Sequence, residues 1–324
     1  MKTFRRITAA MLALLMLFGF AACGGENGVE EKETELLTEI ATSYIRDTKT
    51  KIAALNGNSA LCISKFASDR EYNYETNYYD TEAEIAELIK NGGADMAVMP
   101  LDSAAKLYNE TNGAIQLVSV LSSGYYHVLE KGKKINSVAD LKGKTVYAAY
   151  QGTGFEAVAA HILKENGVDP EKIQFKATDK EVALLTADGT AEILILPEPY
   201  ASKVLNNEAE YRKALDLNAE WEKISGTPLA QTVVVARKEF INAKPEIIDE
   251  FLSLGKIAVN YLRTNTYGAP VFLKDKGFAE TVDLATAMIP GINLNFLSGE
   301  EMKTAVGAVL AVCGITVDDA FYKV

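Results

Sequence analysis

The sequence predicts an α/β protein of two lobes, each built around a mainly parallel β-sheet. Strand-like and amphipathic helical segments alternate through most of the chain, which is typical of parallel sheets. One order of strands, turns and helices occurs twice, and two extended apolar segments belong to neither copy. The length of 324 residues exceeds the usual size of a single hydrophobic core. The composition, with 48% hydrophobic and 24% charged residues, supports a large core and argues against global disorder.

The elements of the first copy follow one another along the chain. A short apolar strand is predicted at 51–55. Thr81 and Glu84 have the spacing of a capping box, which predicts that a helix begins there. The Asn-Gly-Gly sequence at 91–93 is a typical helix end, and the apolar run 94–99 is predicted to be a buried strand.

The second copy has the same order of elements. Residues 145–150 are predicted to form a strand, and the next segment places its apolar residues on one helical face. That face consists of Phe155, Val158, Ala159, Ile162 and Leu163. Thr178 and Glu181 again have capping-box spacing, and 191–196 is predicted to be another strand.

Two further helices are predicted in the last third of the chain. Pro245 suits the first turn of a helix, where its missing N–H is not needed. The apolar stripe that follows it consists of Ile247, Ile248, Phe251, Leu254, Ala258 and Tyr261. Ser298 with Glu301 predicts the start of a last helix, which runs through Leu310.

An internal repeat supports the two-lobe interpretation. Residues 53–59 resemble 148–154, because each is a strand that leads into a polar, glycine-containing turn. Residues 91–100 resemble 188–197 more clearly, and the two offsets, 95 and 97 residues, nearly agree. The alternative is that any two β-α-β units look alike. Order and spacing repeat together, which favours one plan used once in each lobe.

The extended apolar segments 115–129 and 228–235 fit neither copy. Each follows the units of one lobe and precedes those of the other, so the chain is expected to cross between the lobes twice. The predicted domains are lobe one at 39–122 plus 236–324, lobe two at 130–228, and hinge crossovers at 123–129 and 229–235.

The N-terminus has the features of a lipoprotein signal peptide over residues 1–22. Positive residues precede an apolar run at 9–20, which is too short to span a bilayer comfortably, and small residues follow it. The sequence before Cys23 resembles a bacterial lipobox, in which the cysteine carries the lipid, although Phe20 stands where leucine is usual. The alternative is an ordinary secreted protein with a chance cysteine. The segment 23–38 is rich in Gly and Glu and is predicted to be a flexible tether.

Charge and cysteine content limit the classes of partner. The formal net charge is −11, and loss of the three positive residues of the signal peptide would bring it to −14. Such an acidic protein is not expected to bind nucleic acid or anionic lipid, so membrane contact is expected through the lipid anchor only.

Cys62 and Cys313 fit no metal or redox spacing. Two buried free thiols are favoured over a single disulfide bridge.

No catalytic residue, cofactor or metal site is predicted. The histidines His127 and His161 have no partner at metal-ligand spacing. The sequence contains no Gly-x-Ser-x-Gly elbow, and no cysteine is placed with a histidine as in a nucleophilic pair. Residues 151–154 lack the lysine and the spacing of a phosphate loop.

Four segments resemble one known family. They are 93–100 (Gly-Ala-Asp-Met-Ala-Val-Met-Pro), 137–145 (Ser-Val-Ala-Asp-Leu-Lys-Gly-Lys-Thr), 151–154 (Gln-Gly-Thr-Gly) and 196–199 (Leu-Pro-Glu-Pro). They are similar to the nitrate, sulfonate, taurine and thiamine-precursor binding proteins, the SsuA/THI5-like (NMT1-type) group. The resemblance covers nearly the whole mature chain.

This resemblance implies the type II periplasmic-binding-protein fold, a Venus flytrap of two lobes with two crossovers. Together with the lipobox-like sequence before Cys23, it implies a monomeric protein, lipid-anchored outside the bacterial membrane, that binds a small molecule by closing its cleft. The permease and ATPase subunits of an ABC importer are its implied partners.

In parallel α/β sheets, ligands lie beyond the carboxyl ends of the strands, where helix N-termini offer backbone N–H groups. Two facing lobes would share one such cleft. The predicted ligand contacts are Asn56, Asn58, Ser59, Asp102, Ser103, Ser123, Tyr125, Gln151, Gly152, Thr153, Gly154, Glu198 and Tyr200. The structural alternatives are a tight turn for 151–154, a helix cap for Asp102, a hinge contact for Glu198, and hinge packing for Ser123 and Tyr125.

The predicted loops contain Asp102 and Glu198 but no lysine or arginine. A neutral or amine-bearing ligand such as a pyrimidine is therefore slightly favoured, although backbone N–H groups alone can bind nitrate or a sulfonate. A ligand-presenting sensor or adhesin lipoprotein is an alternative function. Enzymes that share the fold, such as pyrimidine synthases and menaquinone-pathway enzymes, work in the cytosol, and the signal peptide disfavours them here. The Cys-rich motif of the eukaryotic pyrimidine synthase is also absent.

Overall fold

The computed structural model describes residues 49–67, 72–187 and 189–324. The strands among them are β1 Thr50–Leu55, β2 Tyr74–Tyr79, β3 Met96–Pro100, β4 Ile115–Ser122, β5 Tyr126–Lys131, β6 Val146–Ala148, β7 Ile173–Phe175, β8 Ile193–Pro197, β9 Tyr211–Asp216, β10 Thr232–Arg237 and β11 Leu294–Leu297. The helices are α1 Asn58–Ala67, α2 Glu82–Lys90, α3 Leu101–Glu110, α4 Gly154–Glu165, α5 Asp179–Leu184, α6 Tyr200–Asn207, α7 Leu217–Ser225, α8 Lys238–Ala243, α9 Pro245–Thr264, α10 Gly268–Asp275, α11 Val282–Met288 and α12 Gly299–Cys313. The predicted signal peptide at 1–22, Cys23, the tether at 23–38 and the predicted start of lobe one at 39 lie outside the described residues.

Six strands form the first sheet, in the order β11-β4-β10-β3-β1-β2. β1 pairs in parallel with β2 and β3, and Ile52 lies opposite Met96. β10 pairs antiparallel with β3 and β4, and β11 pairs antiparallel with β4. We refer to β1–β4, α1–α3, β10, β11 and α8–α12 as lobe one.

Five strands form the second sheet, in the order β7-β6-β8-β5-β9. β6 pairs in parallel with β7 and β8, whereas β5 pairs antiparallel with β8 and β9. We refer to β5–β9 and α4–α7 as lobe two. The chain enters lobe two between Ser122 and Tyr126 and returns to lobe one between Ser225 and Thr232.

The predicted two-lobed α/β fold is confirmed, but the sheets are mixed rather than mainly parallel. The inserted antiparallel strands are β5 and β10, the first strand after each passage between the sheets. Parallel neighbours need a crossover connection that returns the chain to the far edge of the same sheet. β5 and β10 instead arrive from the other lobe, at the edge where the parallel strands end. They therefore run in the opposite direction.

Two of the predicted helix starts have the capping box that the sequence indicates. The capping boxes Thr81–Glu84 and Thr178–Glu181 are both formed, with reciprocal side-chain to backbone hydrogen bonds. Ser298 makes no such bond, although α12 begins directly after it. That helix continues past the predicted Leu310 to Cys313.

The apolar core of each lobe lies between its sheet and its helices. All five residues of β8 are buried, as are the first four of β3. On α9, Phe251 packs edge-on against Phe66 and Tyr74, which ties this long helix to α1 and β2. Each fully buried large apolar side chain contributes roughly 1.5–3 kcal/mol. None of the described helices combines the length and the apolar character needed to cross a membrane.

Candidate ligand-binding cleft

A cavity of about 200 Å³ lies between the two lobes. Its walls come from the residues after β3 in lobe one, the residues after β6 in lobe two, both passages between the sheets, the start of α2 and the end of α12. They include Leu101, Asp102, Lys106, Tyr125, Tyr126, Gly152, Thr153, Gly154, Phe155, Gln231 and Cys313. A molecule in this cavity would touch both lobes at once.

The structure brings some of the predicted contacts together here and leaves others elsewhere. The predicted residues that line the cavity are Asp102, Tyr125, Gly152, Thr153 and Gly154. The predicted residues outside its lining are Asn56, Asn58, Ser59, Ser103, Ser123, Gln151, Glu198 and Tyr200.

The turn from β6 to α4 presents backbone to the cavity. Gly152 has a φ of 79°, a conformation that glycine adopts without steric cost. The Thr153 hydroxyl donates to the carbonyl of Tyr150 at 2.6 Å, and the N–H of Gly152 donates to the Glu156 carboxylate at 2.6 Å. The Thr153 hydroxyl and the Gly152 N–H therefore bond within the turn. This agrees with the alternative in which 151–154 is a tight turn.

Asp102 and Gly154 meet across the cavity from opposite lobes. A methyl group on Gly154 would collide with the Asp102 carboxyl group, so this close approach requires glycine. Lys106 Nζ lies 2.8 Å from Asp102 Oδ2, one helical turn along α3. The expectation of acidic loops without a cation is therefore incomplete, because a neighbouring helical turn supplies one.

Aromatic rings form one wall of the cavity. Tyr126 stacks on Phe155 with ring centroids 3.9 Å apart, and Tyr125 lies against Tyr126 at 5.6 Å. Tyr150 meets Phe155 edge-on at 5.3 Å. Burial raises the pKa of Tyr125 and of Tyr126, so both phenols stay neutral at ordinary pH. The wall offers a flat and largely apolar surface.

Asp179 is a candidate contact that the sequence reasoning missed. It is the first residue of α5, beyond the carboxyl end of β7 and at the same sheet edge as the turn 151–154. Its Oδ1 is buried without a hydrogen-bond partner among the described residues. Burial raises its pKa from 3.8 to about 6. Asp179 does not itself line the cavity, but its charge raises the pKa of Tyr125 and of Tyr126, which indicates that it lies near the aromatic wall.

Glu198 lies in a separate buried cluster. Lys213 Nζ is 3.1 Å from Glu198 Oε1, and the N–H of Ser202 donates to Oε2 at 3.1 Å. The Glu198 backbone carbonyl accepts from Asn58 Nδ2 of lobe one at 3.0 Å. His127 Nε2 lies 3.7 Å from Oε1. Lys213 and His127 are far from Glu198 in sequence, and no motif linked the three residues beforehand.

Three of the other predicted contacts have polar partners of their own. Those partners are Asp80 for Asn56, Glu82 for Ser103 and Asn295 for Ser123. Ser59 is buried in α1, whereas Gln151 is exposed. Tyr200 begins α6, and the Lys203 ammonium lies 5.6 Å from its ring centroid.

The described residues contain two cysteines, Cys62 and Cys313. Cys62 and Cys313 are both free, as favoured from the sequence, although Cys313 is only half-buried. Burial raises the thiol pKa to about 12 for Cys62 and about 11 for Cys313, so both stay protonated. The Cys313 thiol donates across the cleft to the carbonyl of Gly154 at 3.5 Å. Within the described ranges, no three Asp, Glu, His or Cys side chains are grouped as metal ligands.

Comparison with known proteins gives one family and a consistent set of solved structures. The sequence model of the family described as NMT1/THI5-like matches residues 75–267. An ABC transporter structure from Parabacteroides distasonis aligns with a TM-score of 0.72 at 20% identity, covering 86% of this chain and 99% of that chain. A search of curated proteins gives no match.

The solved structures include sulfonate-binding proteins, and two of them are described here. The periplasmic aliphatic sulphonate binding protein SsuA from Escherichia coli has a TM-score of 0.66 at 14% identity, covering 83% of this chain and 86% of that one. The alkanesulfonate-binding protein SsuA from Xanthomonas axonopodis pv. citri, bound to MOPS, has a TM-score of 0.58 at 13% identity and covers 85% and 96%. At these identities the likeness concerns the fold, and it agrees with the two-lobed architecture described above.

Proposed function

Because the chain belongs to the NMT1/THI5-like family, we propose that it binds a small solute between its lobes and delivers it to an ABC importer. The observation that carries the proposal is the cavity of about 200 Å³, whose walls come from both lobes. A site divided in this way couples occupancy to the relative position of the lobes, since a ligand that contacts both favours the arrangement in which they meet. This coupling is useful to a carrier, whose partner must distinguish loaded from empty protein.

The proposed ligand carries an amine on a flat ring. The aromatic wall around Tyr125 and Tyr126 suits a planar group. The buried Oδ1 of Asp179 has no hydrogen-bond partner within the described residues, and a protonated amine would satisfy it. Asp102 already has Lys106 at 2.8 Å, so it offers less to a cation than Asp179 does. A pyrimidine with an amine substituent has both features, whereas a sulfonate or nitrate would meet Asp179 with like charge.

We also propose where the protein is located and which proteins it works with. We propose a monomer held outside the bacterial membrane by lipid on Cys23, with the permease and ATPase subunits of the importer as its partners. We propose that it is a carrier and not an enzyme. The hinge crossovers proposed at 123–129 and 229–235 would bend as the lobes close. Mass spectrometry of the membrane-bound protein tests the lipid on Cys23, and Cys23→Ala should release the protein from the membrane.

The solute proposal is tested by calorimetry and thermal shift with the purified protein. The probes are an aminomethylpyrimidine, the matched hydroxymethylpyrimidine that lacks the amine, thiamine, an alkanesulfonate, taurine and nitrate. At a free concentration of about 100 times its Kd, a ligand adds about 2.7 kcal/mol to the free energy of unfolding, which raises Tm by several degrees. We expect the aminomethylpyrimidine to bind more tightly than its hydroxymethyl counterpart.

Asp179→Asn should abolish this preference, and Glu171→Gln is the matched control, because Glu171 is exposed on the same lobe. Tight, saturable sulfonate binding that is unaffected by Asp179→Asn would overturn the ligand class and leave solute capture intact. A folded protein that binds none of the probes would contradict capture of these classes and favour a sensor or adhesin function.

A further inference from the structure

The lobes also meet outside the ligand cavity, at a buried polar cluster of lobe two. Its members are His127 on β5, Glu198 after β8 and Lys213 on β9. His127 is 0% exposed and Glu198 is 2% exposed. Lys213 Nζ lies 3.1 Å from Glu198 Oε1, and His127 Nε2 lies 3.7 Å from the same oxygen. None of the three lines the cavity, so the cluster is a second point of contact.

Lobe one reaches this cluster through Gly291, in the short 3₁₀ turn Ile289–Ile292 before β11. The Gly291 carbonyl lies 2.8 Å from His127 Nε2 and accepts a hydrogen bond from it when that nitrogen carries the proton. A methyl group on Gly291 would stand 2.7 Å from Lys213 Nζ and 2.8 Å from His127 Nε2, and it would collide with the Glu198 carboxylate. Any residue larger than glycine therefore forces these buried side chains to move before the docking can form.

Asn293 holds the same loop of lobe one against the first passage between the sheets. Its carbonyl accepts from the N–H of Ser123 at 2.8 Å, and its Nδ2 donates to the carbonyl of Gly124. The same Nδ2 lies 3.1 Å from Asp216 Oδ2 on β9. Asn293 has a φ of 51°, the left-handed conformation that asparagine and glycine tolerate best. The contacts of Gly291 and Asn293 thus join lobe one to both the passage and lobe two.

We propose that residues 291–293 form a latch that docks on the His127–Glu198–Lys213 cluster when the lobes close. The proposal rests on the solute capture proposed above. Gly291 belongs to lobe one and the cluster to lobe two, so the hydrogen bond between His127 and Gly291 forms only when the lobes meet. The latch stabilises the closed arrangement without touching the solute. It therefore sets how long a bound solute is retained, while the cavity sets which solute binds.

The test compares Gly291→Ala with Gly307→Ala. Gly307 lies on α12 in lobe one, and an added Cβ there has no atom within 4 Å, so this control makes the same chemical change without a collision. Small-angle scattering measures the radius of gyration with and without the aminomethylpyrimidine probe, and calorimetry measures its Kd. We expect Gly291→Ala to increase the radius of gyration under both conditions and to raise Kd at least tenfold. We expect Gly307→Ala to match the wild type.

A second variant keeps the test decisive if Gly291→Ala does not fold, as judged by circular dichroism. Asn293→Gly keeps the left-handed backbone and removes the side-chain bonds, and we expect a smaller change in the same direction. The latch is overturned if the folded variants have the wild-type radius of gyration and Kd. If the wild type binds none of the probes while Gly291→Ala still opens the ligand-free protein, solute capture fails and the latch stands.

Discussion

Glu198 and Asp179 are both largely buried carboxylates of lobe two that follow a strand of the second sheet, yet their surroundings differ. Glu198 has Lys213 at 3.1 Å and the N–H of Ser202 at 3.1 Å. Asp179 has a buried oxygen without a hydrogen-bond partner among the described residues, and burial raises its pKa to about 6. A buried carboxylate that is paired holds structure together, whereas one that lacks a partner costs stability and is available to a ligand. The comparison supports the roles proposed above, Glu198 in the latch and Asp179 as a ligand contact.

The largest effect is expected at Glu198. Glu198→Ala leaves Lys213 without its partner and removes the acceptor for the Ser202 N–H. We expect the free energy of unfolding to fall by about 3 kcal/mol, at the lower end for a buried pair because Lys213 is partly exposed. Urea unfolding measures this loss. If Glu198→Ala is as stable as the wild type, the two carboxylates do not differ as proposed.

At Asp179, in contrast, removing the charge is expected to raise the free energy of unfolding. Its pKa is about 6 in the folded protein and near 3.8 when unfolded, so the carboxyl group stabilises the fold below about pH 4 and loses that contribution as the pH rises through 6. Asp179→Asn should therefore raise the free energy of unfolding above pH 6, by about 1–2 kcal/mol for a buried charge removed. The gain should disappear near pH 4. Urea unfolding at several pH values measures both, and a loss of stability at pH 7 would contradict the unpartnered state.

His127 gives the latch a pH dependence of its own. Burial, and then the charge of Lys213, lower its pKa, while Asp216 and Glu198 oppose the shift. The unfolded chain therefore binds more protons below about pH 6.5, and stability falls there by at most about 1.4 kcal/mol per pH unit. His127→Gln should flatten this acid limb, whereas Asp179→Asn should steepen it, because the substituted amide lacks the proton uptake that stabilises the fold as the pH falls through 6. Urea unfolding between pH 5 and 7 compares the slopes, and equal slopes in wild type and His127→Gln would argue against the buried neutral imidazole.

The smallest effect is expected at the cleft pair of Asp102 and Lys106. The lysine is 56% exposed, so water screens the interaction, and Asp102→Asn should cost less than about 1 kcal/mol. Urea unfolding next to Glu198→Ala measures the contrast directly. A loss as large as that at Glu198 would show that the Asp102–Lys106 pair is as important to stability as the Glu198–Lys213 pair, which would weaken the distinction between cleft and latch.

Part of the candidate site could be predicted from the sequence. The turn 151–154 and Asp102 follow buried strands, and helix starts after parallel strands point to a shared sheet edge. Those residues do line the cavity. Glu198 lies between two prolines in the sequence, yet that position carries no information about Lys213, which pairs with it from another strand. Asp179 looked like an ordinary first residue of a capped helix.

The sequence by itself determined the elements of this protein and their repetition. Periodic apolar residues and local capping groups such as Thr81 and Thr178 act on residues a few positions away. The helices and strands that they favour can therefore be predicted from neighbouring positions. Tertiary structure alone decided the direction of β5 and β10, the partner of Glu198 and the isolation of Asp179. Gly291 meets residues that lie far from it in sequence. Such contacts depend on how the lobes pack, because burial and charge pairing are properties of surroundings that distant segments build.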